Sequence, residues 1–133
     1  MKSLRTTVAF DPSSAFNTKI PFGQLPVSLR RAINDGLLRM DTLVPKLSAA
    51  SLRATDVLRA NGSGHAQAEA LKPEVEALLE QANIFVGPLR DGLAQKFGPL
   101  NTKPDERLEV CWEFIGATAS LQTLYDALWP TPQ

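Results

Sequence analysis

The chain has 133 residues, with 14 basic and 14 acidic side chains and therefore no formal net charge at pH 7. That length predicts one domain with its own core. The charge balance removes the general electrostatic attraction that draws basic proteins to nucleic acids or anionic membranes. A single cysteine, Cys111, excludes an intramolecular disulfide and a cysteine-based metal cage. Neither a secretory signal nor an apolar run of the roughly 18 residues of a membrane span is evident, so we expect a soluble, cytoplasmic protein.

The first 25 residues differ in composition from the rest of the chain. Proline, glycine, serine and threonine are frequent among them, and this composition disfavours a continuous helix. We predict an extended N-terminal arm over residues 1–25, with a short strand near Leu4, Val8 and Phe10. Three apolar side chains are expected to dock the end of the arm onto the remaining domain: Ile20, Phe22 and Leu25.

A first long helix is predicted to begin at Pro26 or Val27, since proline is tolerated in the first helical turn. Its apolar residues recur in one helical phase: Leu29, Ile33, Leu37, Met40, Leu43, Val44, Leu47, Ala50, Ala54 and Leu58. Pro45 removes a hydrogen bond inside this run and clashes with the carbonyl of Asp41. Because the apolar phase continues on both sides of Pro45, one kinked helix is favoured over two separate ones.

A second long helix is predicted after the glycine-rich turn at residues 61–64. Its apolar ladder consists of Leu71, Val75, Leu78, Ala82, Phe85, Val86, Leu89, Leu93 and Phe97. Pro88 lies in the middle of the ladder and predicts a second kink. If Pro45 or Pro88 breaks its helix completely, the same sequence gives a bundle of four or five helices.

A third helix is predicted between Pro104 and Pro130, and it is unusually apolar. Its apolar side chains cover about 200° of the circumference at about 100° per residue, whereas a helix at the edge of a domain needs a stripe of roughly 100°. These residues are Leu108, Cys111, Trp112, Phe114, Ile115, Ala119, Leu121, Tyr125, Leu128 and Trp129. Two neighbouring helices, the N-terminal arm or a second protein molecule must therefore cover this helix.

Together these elements predict an all-α fold. Residues 26–133 are expected to form an antiparallel bundle of three long helices, the first two kinked at Pro45 and Pro88, with the extended arm at residues 1–25 before them.

The inventory of catalytic groups is poor. His65, the only histidine, lies beside the glycines of the first turn, where its imidazole would lack the fixed orientation that a catalytic base needs. Cys111 falls on the buried stripe with no histidine nearby to lower its pKa. The glutamates of the second and third helices lack the histidines that a di-metal bundle site requires. We therefore expect no catalytic residue, no metal and no cofactor.

Charge is distributed unevenly along the chain. Residues 1–64 carry nine basic and four acidic side chains, and residues 65–133 carry five basic and ten acidic ones. Within the basic half, a basic seam of Arg39, Lys46 and Arg53 repeats every seven residues beside the apolar stripe of the first helix, as flanking charges do in coiled coils. The simpler interpretation is that these cations pair with glutamates of a neighbouring helix. The alternative is that they bind an acidic partner.

Three functional interpretations remain open. The first is a protein–protein interaction or regulatory module without catalysis, which binds a protein partner or forms a homodimer. Because tryptophan and tyrosine are enriched at interfaces, its candidate interface lies on the third helix: Trp112, Phe114, Leu121, Tyr125 and Trp129. No nucleic-acid or membrane partner is expected.

The second interpretation is a ligand-binding or enzymatic bundle, in which the kinked helices open an apolar pocket for a small molecule. The candidate pocket residues are Met40, Val44, Phe85 and Leu89. The third is a bacterial regulatory or secreted accessory protein that uses the serine- and threonine-rich arm as an address.

Overall fold

A computed structural model describes residues 18–60, 66–95 and 98–130 of the protein. In these ranges the helices are α1 over Val27–Ala60, α2 over Ala66–Leu93 and α3 over Glu106–Leu128, and a 3-10 turn over Phe22–Gln24 precedes α1. Each helix packs against both of the others. The predicted all-α bundle of three helices is therefore confirmed for the described part of the chain.

Both α1 and α2 continue through their internal prolines. Pro45 lies inside α1, and Pro73 and Pro88 lie inside α2, all three on exposed positions. The carbonyl groups that lose a hydrogen bond to each proline belong to residues four positions earlier, and these residues are exposed as well. Water can satisfy such carbonyls, so the prolines are tolerated and the alternative of four or five shorter helices does not arise in the described ranges.

The predicted apolar ladders of α1 and α2 form much of the core. The buried residues of α1 are Leu29, Ile33, Gly36, Met40, Leu43, Leu47, Ala50 and Ala54. Those of α2 are Ala68, Leu71, Val75, Leu78, Leu79, Ala82, Val86, Leu89 and Leu93. A few predicted members, among them Leu37, Val44 and Leu58, are half-buried at the edge of this core.

Two glycines let α1 and α2 approach each other closely. A Cβ atom at Gly36 would lie 3.0 Å from the Cε1 atom of Phe85, and one at Gly92 would lie 2.7 Å from the Cδ2 atom of Leu29. The Phe85 ring also meets the ring of Phe114 on α3 edge to face, with centroids 6.2 Å apart. Phe85 is therefore held between a glycine on α1 and an aromatic ring on α3.

Replacing Gly36 by alanine should destabilise the protein by about 1 kcal/mol, because the added methyl group displaces the Phe85 ring and outweighs the gain in helix propensity. Asn34→Ala is the matched control, because it raises helix propensity at an exposed position of α1 without adding an atom to the core. It should stabilise the protein by roughly 0.5 kcal/mol. Urea denaturation measures both changes, and an equal gain for the two variants would contradict the close packing at Gly36.

The segment that leads into α1 docks on the start of α3. The backbone N–H of Asp105 donates to the carbonyl oxygen of Thr18 at 2.9 Å. The guanidinium of Arg107 lies 3.6 Å from the centroid of the Phe22 ring, in a cation–π contact. The three side chains expected to dock the arm are buried: Ile20, Phe22 and Leu25. The predicted strand near Leu4, Val8 and Phe10 lies outside the described residues, as do His65 and Phe97.

The first turn of α3 is capped by Asp105. Its carboxylate accepts hydrogen bonds from the backbone N–H of Arg107 at 2.9 Å and from the guanidinium of Arg107 at 3.0 and 2.8 Å. The side-chain hydrogen bond from Arg107 is the main reason that the pKa of Asp105 lies below its usual value, although partial burial opposes the shift. The same arginine thus joins the cap of α3 to Phe22.

Asp105→Ala should lower the free energy of unfolding at pH 7 by about 1 kcal/mol, because the helix loses its N-cap. Asp105→Asn keeps a capping oxygen but loses the charge. The pKa of Asp105 is lower in the folded protein than its ordinary value of 3.8. Its negative charge therefore stabilises the fold at pH values above 3.8, and this contribution disappears as the pH falls through the folded-state pKa. The stability difference between the native protein and Asp105→Asn should therefore shrink below about pH 4 in denaturation titrations. A difference that persists unchanged to lower pH would refute the charged cap.

Candidate interaction surface

The candidate interface residues of α3 lie mostly in the protein's own core. Trp112, Phe114, Leu121 and Trp129 are buried, and Tyr125 is half-buried. The wide apolar arc of α3 is covered by α1 on one side, by α2 on another, and by the docked segment 18–25 near its start. The helices and the docked segment of a single chain therefore cover the wide apolar arc of α3, which was the reason for considering a homodimer through this helix.

Tyr125 keeps some exposed surface but is held by two neighbours. Its hydroxyl donates to a carboxylate oxygen of Glu76 at 2.7 Å, and its ring lies 5.2 Å from the Trp129 ring, centroid to centroid. The hydrogen bond to Glu76 is the main cause that raises the pKa of Tyr125. Tyr125 also borders a shallow, open groove of about 570 Å³ between α2 and α3, in which Glu76 and Glu80 are the acidic lining residues. Its position is thus explained by contacts within the chain.

The candidate pocket residues are part of the packed interior or lie against it. Met40 and Leu89 are buried, while Val44 and Phe85 are half-buried and pack against the core. As described above, the Phe85 ring occupies the space beside Gly36. These four side chains belong to the core or pack against it at this level of the bundle.

Cys111 is a buried core residue. Its side chain is inaccessible to solvent, and burial, with a smaller contribution from the negative charge of Asp105, raises the pKa of its thiol to about 12. A thiol with so high a pKa forms almost no thiolate at neutral pH. This environment does not suit a nucleophile.

Cys111 should therefore react with a disulfide reagent at pH 8 on the order of 1000-fold more slowly in the native protein than in the urea-unfolded protein, in proportion to its thiolate fraction. The absorbance of the released thiol follows both reactions. Comparable rates in the two states would show that the thiol is exposed and would contradict this placement.

The described residues were compared with two kinds of functional element, a metal-binding cluster and a membrane-spanning helix. Across residues 18–60, 66–95 and 98–130, no group of three or more histidine, cysteine, aspartate or glutamate side chains is arranged to hold a metal ion. Within the same ranges, no helix combines the length and the apolarity needed to cross a bilayer.

An exposed apolar stripe runs along α1 on the side opposite the core. We call it the outer stripe: Leu38, Thr42, Pro45, Ala49 and Leu52. All five residues are exposed, and Leu38 and Leu52 retain 79% and 69% of their accessible surface. The residues are spaced four, three, four and three apart, which places them on one helix face. This spacing is that of the contact positions in helix–helix pairs.

The basic seam borders the outer stripe. Arg39, Lys46 and Arg53 are all exposed, and each follows a member of the outer stripe by one residue. Arg53 forms a double hydrogen-bonded ion pair with Glu74 of α2, with one of its two contacts at 3.0 Å. Both of these side chains remain about half exposed. For this member of the seam, the expected pairing with a glutamate of a neighbouring helix occurs.

The other two cations of the seam have no such partner. Arg53 of α1 pairs with Glu74 of α2, and Leu29 in the first turn of α1 lies beside Gly92 in the last turn of α2. Lys46 and Arg39 lie seven and 14 residues before Arg53 on α1. The residues that lie seven and 14 positions after Glu74 on α2 are Gln81 and Pro88, and both are neutral. Within the described part of the chain, no acidic side chain lies within ion-pair distance of Arg39 or Lys46.

The surface charge differs among the three helices. Helix α1 contains six basic and three acidic residues, α2 contains two and five, and α3 contains one and four. The exposed leucines of α1 therefore lie on the only one of these three helices with a positive charge balance.

The outer stripe was missed in the sequence analysis, although the sequence contains a signal for it. Leu38 and Leu52 are 14 residues apart and lie outside the phase of the core ladder. Pattern analysis follows the strongest apolar phase of a helix, and the second phase of α1 is weaker because threonine, proline and alanine separate the two leucines.

Comparison of this chain with protein-family models, with curated proteins and with solved structures finds no match. Its function must therefore be argued from the surface that the fold presents.

Proposed function

We propose that this protein is a protein–protein interaction module without catalysis of its own, and that the outer stripe and the basic seam of α1 form its contact surface. The observation that carries the proposal is the exposure of Leu38 and Leu52 on one face. A single exposed leucine is ordinary on protein surfaces. Two leucines in line, joined by Pro45 and Ala49 and bordered by three cations, form the kind of patch that marks interaction sites.

The packing elsewhere supports this choice of surface. The aromatic side chains of α3 and the candidate pocket residues are occupied in the fold, as described above. The outer stripe has no such role, because its side chains point away from the core. Buried and unpaired, Cys111 is consistent with a reducing, cytoplasmic setting.

We also propose that the helices run antiparallel in chain order and that α1 and α2 bend at Pro45 and Pro88. The contacts of Leu29 with Gly92 and of Arg53 with Glu74 support the antiparallel pairing of α1 and α2. Loss of a helical hydrogen bond at each proline supports the bends. Because Pro45 is the central member of the outer stripe, a bend there would set the curvature of the contact surface.

A photo-crosslinking residue introduced at Thr42 tests the proposal in the native cell. We expect a discrete covalent adduct with one protein, which the double substitution Leu38→Ser and Leu52→Ser removes. Both leucines are exposed, so the double variant should retain its free energy of unfolding within about 0.5 kcal/mol per site. Circular dichroism and urea denaturation would verify this.

The matched control for that experiment is Leu100→Ser, which removes an exposed leucine outside the helices. It should leave the adduct intact, and a crosslinker at the exposed Glu113 of α3 should not produce the same adduct. If no adduct forms at Thr42, or if the adduct is insensitive to Leu38→Ser and Leu52→Ser, the outer stripe is not the contact surface.

A further inference from the structure

We infer that the partner of the outer stripe is an amphipathic helix of another protein, with acidic side chains along one edge of its own apolar stripe. This inference rests on the proposed function. Three features of α1 lead to this chemistry: the spacing of the outer stripe, the small residues between its leucines, and the two cations of the basic seam that form no ion pair within the described part of the chain.

The geometry of the outer stripe fits a helix. The distance from Leu38 to Leu52 along α1 is about 21 Å, which corresponds to four turns of a partner helix of similar length. Thr42, Pro45 and Ala49 are smaller than the leucines at the ends. The depressions above these small residues can receive the larger apolar side chains of a partner helix, in the manner of knobs that enter holes.

The positive charge of the basic seam favours a partner with negative charge. A helix that covers the outer stripe would also remove water from the edge where Arg39 and Lys46 lie. Desolvating cations without counter-charges is unfavourable, whereas carboxylates repeated every seven residues on the partner would pair with them. Arg53 is already neutralised by Glu74. Arg39 and Lys46 are therefore the two positions at which an acidic helix gains specificity.

A second copy of this chain fits the surface less well. Antiparallel two-fold pairing of two α1 helices through the outer stripe would bring the basic seam of one copy against the basic seam of the other. Parallel pairing would bring the seam against the opposite edge of the stripe, where Asp41 is the acidic residue beside Ser48 and Thr55. One carboxylate on that edge of each copy cannot balance both Arg39 and Lys46.

Two other occupants are also poor matches. Residues 1–17 of this chain carry two basic side chains, Lys2 and Arg5, and one acidic side chain, Asp11, so their charge does not complement the seam. A nucleic acid would pair with the cations through its phosphates, but it would leave Leu38 and Leu52 in water. An acidic amphipathic helix satisfies both the leucines and the cations.

Two synthetic helical peptides test this inference with the full-length protein. Both carry the same apolar stripe over about three heptads. One has glutamate and the other has lysine at the flanking positions. Fluorescence anisotropy at low salt should show binding of the glutamate peptide and much weaker binding of the lysine peptide, and the difference should decrease at high salt because exposed charges are screened.

Variants then assign the binding to the named residues. Arg39→Glu combined with Lys46→Glu should weaken binding of the glutamate peptide on the order of 10-fold and strengthen binding of the lysine peptide. Leu38→Ser combined with Leu52→Ser should weaken binding of the glutamate peptide on the order of 100-fold. Lys103→Glu, which changes an exposed cation in the connection before α3, is the charge control and should change neither affinity by more than about 2-fold.

The results that overturn the inference are distinct from those that overturn the proposed function. Equal affinities for the two peptides, or no binding of either, would reject the acidic helix, whereas an adduct at Thr42 that depends on Leu38 and Leu52 would still support the contact surface. Light scattering could show that the protein forms a dimer or a head-to-tail chain and that Leu38→Ser abolishes this assembly. That result would identify a second copy as the partner and reject another protein. Binding of a duplex oligonucleotide would also reject the acidic helix as the partner if this binding depends on Arg39 and Lys46 but not on Leu38.

Discussion

The wide apolar arc of α3 is the constraint on which the rest of the structure depends. A helix with buried side chains on more than half of its circumference cannot remain at the edge of a domain, and here α1, α2 and the docked segment before α1 surround it. Arg107 contributes to this closure because it joins the cap residue Asp105 to the ring of Phe22. The burial of α3 thus determines where the other elements lie.

This closure separates the side chains that stabilise the fold from those that are left for a partner. The inner faces of α1 and α2 are committed to α3 and to each other, and the aromatic residues of α3 are committed to the interior. Leu38 and Leu52 contribute little to the core, since most of their surface remains in water. An apolar side chain that folding does not require is a better indicator of an interaction surface than an aromatic side chain that the core needs.

Much of the fold could be predicted from the sequence because helical periodicity reports which face of a helix is buried. The ladders from Leu29 to Leu58 and from Leu71 to Leu93 form the core, and their unbroken phase across Pro45 and Pro88 is matched by continuous helices. The contact surface could not be predicted in the same way. The breadth of an apolar arc does not show whether the same chain or another molecule covers it. Which cations of the seam are paired depends on the register of α1 against α2, which places Glu74 beside Arg53.

The unequal lengths of the helices have a consequence for local opening of the bundle. Helix α3 has 23 residues and α1 has 34, so α3 is about 35 Å long and can cover only about two thirds of the roughly 51 Å of α1. Its start meets Thr18 and Phe22 before α1, and Tyr125 near its end reaches Glu76 in the third turn of α2. The last turn of α1 lies at the margin of the core, where Val57 and Leu58 are only half-buried. Their amide protons should exchange with solvent through partial unfolding well before those beside Phe114, so the least protected end of the outer stripe is the end at Leu52.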